Sequence, residues 1–513
     1  MSPQSESYDV VVIGGSLSGA ATAILLLREN PGLRLLLVEK SSQFSRRVGE
    51  ATVEVSAYFM GRVLGLTQYL NENQIVKQGL RFWFTNEDVM NLGEASELGG
   101  RYQVRLPSYL LDRASFDEEV LRRACLSGAE LLRPATVSDV ELNSGAEQVV
   151  TLKDDDGART VRARWVVDAS GVAALLARKN GWWTPNTDHP TAAAWARWKG
   201  VKDWDSQELN EKYPEWAGAV YGNRGTATNH AIGDGWWSWW IPLKGGDVSV
   251  GVVFDQRLVD WPRDGRVGDR LKEVLLQHPV GREMLAEAEF DSEDVHWRKN
   301  LAYYSTTFLG DGFALVGDAA AFIDPFYSPG MDWIAFTSTS AAELVTAERR
   351  GEAISERIER RNRDFTRSHH QWFEAIYRNK YDYMGEFDLM SLALILDLGF
   401  YYLGIASQPY KLGPKALLIP PFSEPVSRPF FYLIRAYNRR FAQIARRRRR
   451  LQILGKKNRG RRCLIAGFTL SPTDVRLILR ALAGWVWLEL TEGWRSWGER
   501  PSNQPQKLAA SLR

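Results

Sequence analysis

The stretch from Tyr8 to Lys40 constrains the fold more than any other part of the chain. Tyr8-Asp9-Val10-Val11-Val12-Ile13 has the unbroken apolar character of a strand buried on both faces. Gly14-Gly15-Ser16-Leu17-Ser18-Gly19 follows, then an apolar helical run to Leu27, then a second apolar strand, Leu35 to Val38. Strand, glycine turn, helix and strand make a βαβ unit whose turn brings backbone N–H groups and a helix N-terminus up to a pyrophosphate. Glu39 stands 20 residues beyond Gly19. A carboxylate there accepts hydrogen bonds from an unphosphorylated ribose. Ser16 takes the place of the middle glycine, a departure that a short side chain tolerates.

The rest of the chain sets the frame. With 513 residues, 44% hydrophobic and 25% charged, it buries a large core divided among two or three subdomains. A net charge of +3 argues against nucleic acid as a partner. Cys125 and Cys463 form no Cys-x-x-Cys pair and sit near no histidine cluster, so no metal site is expected. Two reduced thiols and an N-terminus without a leader pattern point to the cytoplasm. Leu389 to Ala406 is the most apolar stretch, yet Asp397 and two glycines interrupt it, as in a buried helix. From about residue 346 the pattern turns helical and rich in arginine and aromatic residues.

Three distant segments strengthen the nucleotide reading. Val166-Val167-Asp168-Ala169-Ser170-Gly171 reads as a strand running into a glycine turn. Gly310 to Ala320 reads as strand, acidic turn at Asp318 and helix start. Asp112-Arg113-Ala114-Ser115-Phe116-Asp117 opens a helix. All three resemble elements of flavin monooxygenases and their relatives. Only one complete fingerprint is present, so a separate NAD(P)H domain is not expected.

Three further segments narrow the resemblance. Trp237, Trp239, Ile241 and Pro242 spell Trp-x-Trp-x-Ile-Pro, which on a strand places both indoles on one face. Arg47-Val48-Gly49-Glu50-Ala51-Thr52-Val53 and Gln74-Ile75-Val76-Lys77-Gln78-Gly79-Leu80-Arg81-Phe82-Trp83-Phe84 follow the fingerprint. Together these segments resemble the flavin-dependent halogenases over about the first 345 residues.

That resemblance implies an α/β fold: a Rossmann-type FAD-binding domain, 1–345, with an inserted mixed β-sheet on the substrate side (about 76–99 and 186–300), and a mainly helical C-terminal region, 346–513. It implies FAD, delivered as FADH2 by a separate reductase, held by Gly14, Gly15, Ser16, Gly19, Glu39, Arg47, Arg113 and Asp318. Halide and O2 then yield hypohalous acid, which Lys77 relays to an electron-rich aromatic, free or tethered to a carrier protein. Glu50 is expected beside flavin or lysine, and the Trp237–Pro242 segment is expected to wall the passage between them. Lysines are usually solvated, and tryptophan strands are usually core; the flanking match, not position alone, singles these residues out.

The halide loop is where the match frays. Ser328, Gly330 and Met331 supply the amides expected to cradle halide, but Pro329 stands among them without an N–H. A halogenase-like flavoprotein doing hydroxylation, dehydrogenation or oxidative decarboxylation is the alternative this proline favours. The basic stretch Arg446–Arg462 reads either as a solvated helix face or as a docking surface for an acidic protein or an anionic membrane. Trp485, Trp487, Trp494 and Trp497 read as core.

Overall fold

A computed structural model describes residues 6–222, 224–469, 472–500 and 506–507. The first sheet is built on the fingerprint. Its central strands run in the order Phe313–Leu315, Gly157–Asp168, Glu6–Ile13, Leu35–Val38, Glu130–Leu132, and all are parallel. The register decides what this sheet presents. Ile13 pairs with Asp168 and with Val38, and Asp168 pairs with Leu315. Gly14, Glu39, Ala169 and Val316 therefore all leave the sheet at one carboxyl edge, where doubly wound folds bind nucleotides. The helix Leu17–Glu29 packs behind the glycine turn, with all but its last residues buried.

A second sheet of eight strands is mostly antiparallel. It runs Glu289–Lys299, Thr191–Lys199, Val248–Asp255, Trp236–Pro242, Thr228–Gly233, Leu80–Phe84, Ser96–Gly100 and Arg462–Ile465. Trp236–Pro242 and Val248–Asp255 form the expected hairpin, with Trp239 opposite Gly251. A Cβ on Gly251 would lie 2.3 Å from that indole, so the glycine makes the room for it. The last strand comes from the C-terminal region, a pairing that the sequence did not signal.

Helices complete the molecule. Gly330–Arg349 leaves the halide loop and packs on Leu17–Glu29. Among the described residues one helix, Phe387–Leu412, has the length and apolarity to cross a membrane, and 61% of its most apolar window is buried inside the protein. It contains a π-helical turn at Tyr402–Ala406, a feature often found at functional sites.

Three expectations are corrected here. Asp318 opens no helix: Gly317–Ala319 is one 3-10 turn, and the long helix waits until Gly330. Arg446, Arg448 and Arg449 are neither solvated nor free for docking, whereas Arg450, Lys456, Lys457, Arg459, Arg461 and Arg462 of the basic stretch are exposed. The arginine run ends the helix Arg428–Arg450, and Arg446 binds Asp382 while Arg448 binds Glu386, Asp388 and Glu492. Arg449 binds Asp234 and Arg450 binds Glu499. The run staples the C-terminal helices together. Of the late tryptophans only Trp485 packs inward, against Tyr437 and Phe441. Trp487, Trp494 and Trp497 stand exposed on the surface.

Candidate active site

The nucleotide edge is stereochemically committed. Gly14 has φ +98°, and a Cβ there would lie 2.5 Å from the Ala169 carbonyl oxygen. A Cβ on Gly19 would fall 1.8 Å from the Gly14 oxygen. Only glycine fits at either point. Glu39 is buried, and its two carboxylate oxygens accept from the N–H groups of Gly15 (2.7 Å) and Ser41 (2.8 Å), which fixes the carboxylate and leaves lone pairs for ribose hydroxyls. The Ser16 hydroxyl makes no capping bond to the helix it precedes. Arg113 donates to the Gly49 carbonyl (3.1 Å) and forks onto Asp117, which also lies 3.8 Å from Arg47. Burial pushes the Asp318 carboxyl up to about 6, with Arg113 and Arg298 pulling the other way. A turn closed to side chains, a fixed ribose acceptor and paired cations fit a dinucleotide.

Lys77 is reached from a second direction. The segment carrying Glu50 and Thr52 pairs with Tyr109–Leu111, and Ile75–Val76 pairs with the other edge of the same ribbon. Lys77 follows directly, its N–H donating to the Ser108 carbonyl at 2.8 Å. The side chain turns inward and is 1% exposed. Its ammonium donates to the Thr52 carbonyl at 2.8 Å. Burial lowers its pKa to about 8, while the charges of Glu54 and Asp332 work in the opposite sense.

Those two carboxylates were not singled out from the sequence. Asp332 accepts from the Ser56 N–H (2.9 Å) and the Tyr401 hydroxyl (3.1 Å), and burial raises its pKa to about 7. Glu54 accepts from the Tyr402 hydroxyl, and burial raises its pKa as well. Consecutive tyrosines at the π-helical turn thus reach the two acids beside the lysine. Glu50, expected beside flavin or lysine, binds Arg197 at 2.9 Å and feels the charge of Arg113 at the nucleotide edge. Its other oxygen has no protein partner, and burial raises its pKa to about 7.

Lys77 lines a cavity of about 550 Å3 together with Glu54, Tyr327, Pro329, Asp332 and Tyr402. The halide loop and the lysine therefore face one space. Trp237, Trp239, Ile241 and Pro242 do not line this cavity. Trp237 packs against Phe326 and His230, both 5.2 Å away between ring centres, so it backs the loop from behind. Lys77 charge, after burial, helps hold His230 down near pKa 3.

The loop itself is strained and clamped. Tyr327 and Ser328 are both left-handed, φ +69° and +58°, a conformation that costs residues with a Cβ about 1–2 kcal/mol each. Asp324 accepts from the Phe326 N–H (2.8 Å), the Tyr381 hydroxyl (3.0 Å) and His189 (2.7 Å). The Tyr377 hydroxyl donates to the Phe326 carbonyl (2.9 Å). Tyr327 donates to Asp397, which is paired with the buried Lys380 at 2.6 Å. The Ser328 N–H is spent on the Pro325 carbonyl (2.9 Å), so it is not available to halide. The N–H groups of Gly330 and Met331 make no hydrogen bond among the described residues.

The family model for FAD dependent oxidoreductases matches residues 9–238. A flavin-dependent halogenase of Dictyostelium discoideum is 27% identical over 374 residues, 66% of this chain and 60% of that one. A sulochrin halogenase of Aspergillus terreus is 28% identical over 375 residues, 67% and 64% of the two chains. The relatives this chain resembles are flavin-dependent halogenases. FAD is the cofactor named by the matching family model, and the residues at the nucleotide edge fit it. The solved structure of the halogenase PltM shares the fold, with TM-score 0.71 at 20% identity over 93% of this chain and 96% of that one. The chain spans 60–64% of the length of the two curated halogenases.

Proposed function

We propose that the protein is an FADH2- and O2-dependent halogenase acting on an electron-rich aromatic ring, with Lys77 as the catalytic residue. One observation carries this reading: a fully buried lysine and the halide loop line a single cavity, with the flavin fingerprint on the same chain. Bound FADH2, furnished by a separate reductase, supplies with O2 the two-electron oxidation that turns halide into hypohalous acid.

The chain's own groups do the rest. Gly14, Gly15, Ser16, Gly19, Glu39, Arg47, Arg113 and Asp318 hold the cofactor. The free amides of Gly330 and Met331 hold halide at a helix start. The neutral Lys77 amine takes the halogen from hypohalous acid and releases water; it then passes the halogen to the ring carbon, and the ring proton returns through Asp332 or Glu54 to the lysine nitrogen, restoring the amine. Burial raises the pKa of both acids, that of Asp332 to about 7, which suits Asp332 to proton exchange near neutrality. Residues 1–345 carry this chemistry, and 346–513 contribute the tyrosines and the loop clamp. Cys125 and Cys463 are unpaired, in keeping with a reducing cytoplasm.

A second reading keeps the flavin oxidation and drops halide. Pro329 has no N–H and that of Ser328 is engaged, so two of four successive loop positions offer halide nothing. The two readings part in one assay: FADH2, O2 and bromide or chloride with a panel of phenols and indoles, read by mass spectrometry. Halogenated product supports the first. Hydroxylated or desaturated product formed without halide supports the second.

A further inference from the structure

The cavity at Lys77 is much larger than its reaction requires. About 150 Å3 is enough to hold a benzene ring, and this cavity has about 550 Å3. The surplus runs outward along Phe387–Leu412 to a mouth formed by Leu412, Ile419, Val426 and Phe430. These four are 67%, 46%, 74% and 49% exposed. Large apolar side chains gathered at one rim mark a surface that an apolar ligand covers.

Charge narrows the ligand further. Among the described residues that line the cavity, Lys77 is the one lysine or arginine, against the carboxyl groups of Glu54, Asp332, Asp397 and Glu424. Asp397 is already matched by Lys380 behind the wall. A substrate carboxylate or phosphate inside would lose its hydration and meet like charge without an arginine to receive it. A phenol hydroxyl, in contrast, finds both acceptors and tyrosine donors near Lys77.

We infer that the substrate is an uncharged phenol bearing a long apolar substituent, its ring beside Lys77 and its substituent lying along the channel to the Val426–Phe430 mouth. This rests on the halogenase reading for the ring chemistry, but the binding claim stands on the cavity alone. A single ring leaves most of the channel wet, and each methylene added to the substituent removes apolar surface from water on both sides.

Isothermal titration of the holoenzyme, loaded with oxidised FAD and given no reductant, tests it. The probes are resorcinol, its 5-methyl, 5-propyl, 5-pentyl and 5-heptyl derivatives, and 3,5-dihydroxybenzoate. The inference predicts Kd falling about threefold to fourfold per methylene through the pentyl compound. It also predicts dihydroxybenzoate at least about tenfold weaker than 5-methylresorcinol, and a flattened chain-length dependence in Val426→Asp. A Kd indifferent to chain length, or dihydroxybenzoate binding as well as 5-methylresorcinol, overturns it. Turnover is read separately by mass spectrometry. Chain-length-dependent binding without halogenated product sinks the halogenase reading and leaves this one standing; halogenated resorcinol with a flat binding series does the reverse.

Discussion

The Tyr327 hydroxyl donates to Asp397 at 3.1 Å, tying a left-handed residue of the halide loop to a helix 70 residues further along the chain. Asp397 also accepts from Tyr437 and pairs with Lys380, which is itself bonded to Asn438. The loop's geometry is therefore set from the C-terminal helices. Tyr327→Phe removes one hydrogen bond, about 1 kcal/mol, from the element that offsets the backbone strain. The KM for halide is expected to rise several-fold while FAD affinity holds; steady-state kinetics with bromide as the varied substrate checks this.

Asp397→Leu leaves Lys380 buried without its counter-charge, a change worth about 3–5 kcal/mol. A large drop in thermal midpoint is expected. Adding Lys380→Met should recover most of that stability, since the charge and its partner are then both gone, but it should not recover the halide KM. Scanning calorimetry read beside halide kinetics separates the two effects.

The pH dependence follows from the lysine. If the neutral amine acts, kcat/KM rises with pH through about 8, because burial lowers Lys77 to that value. Asp332 raises the pKa of Lys77 through its charge. Asp332→Asn removes that charge, so the inflection moves to lower pH. A pH–rate profile in which the inflection stays put or moves upward contradicts the assignment.

Arg448 is 4% exposed and holds three carboxylates, those of Glu386, Asp388 and Glu492. Arg448→Leu should cost about 3–5 kcal/mol. Arg447 makes no ion pair among the described residues, and Arg447→Ala should fall within about 0.5 kcal/mol. Chemical denaturation of the two variants tests whether the arginine run is a staple.

How much of this was readable beforehand divides along chain distance. The βαβ unit and the Trp237 hairpin were legible because their patterns are local: apolar runs, glycine turns and alternation. The Lys77 segment was legible through its flanking residues. Glu54 and Asp332 were not, because a carboxylate becomes an acid beside lysine only when residues 278 positions apart meet. The arginine run was misread for the same reason: its acids come from positions 234, 382, 386, 388, 492 and 499. Ser328 looked like a halide donor because its identity shows, whereas the carbonyl that claims its N–H does not. Asp397 was visible as an oddity in an apolar helix, and its role emerged only with Lys380 and Tyr327 around it.

The most direct test of the central claim uses Lys77→Ala loaded with FAD. The variant receives FADH2, O2, bromide, an aromatic substrate and a separate hypohalite scavenger. The account predicts that hypobromous acid still forms and brominates the scavenger, while brominated aromatic product disappears. Undiminished bromination of the aromatic substrate by the variant would contradict it.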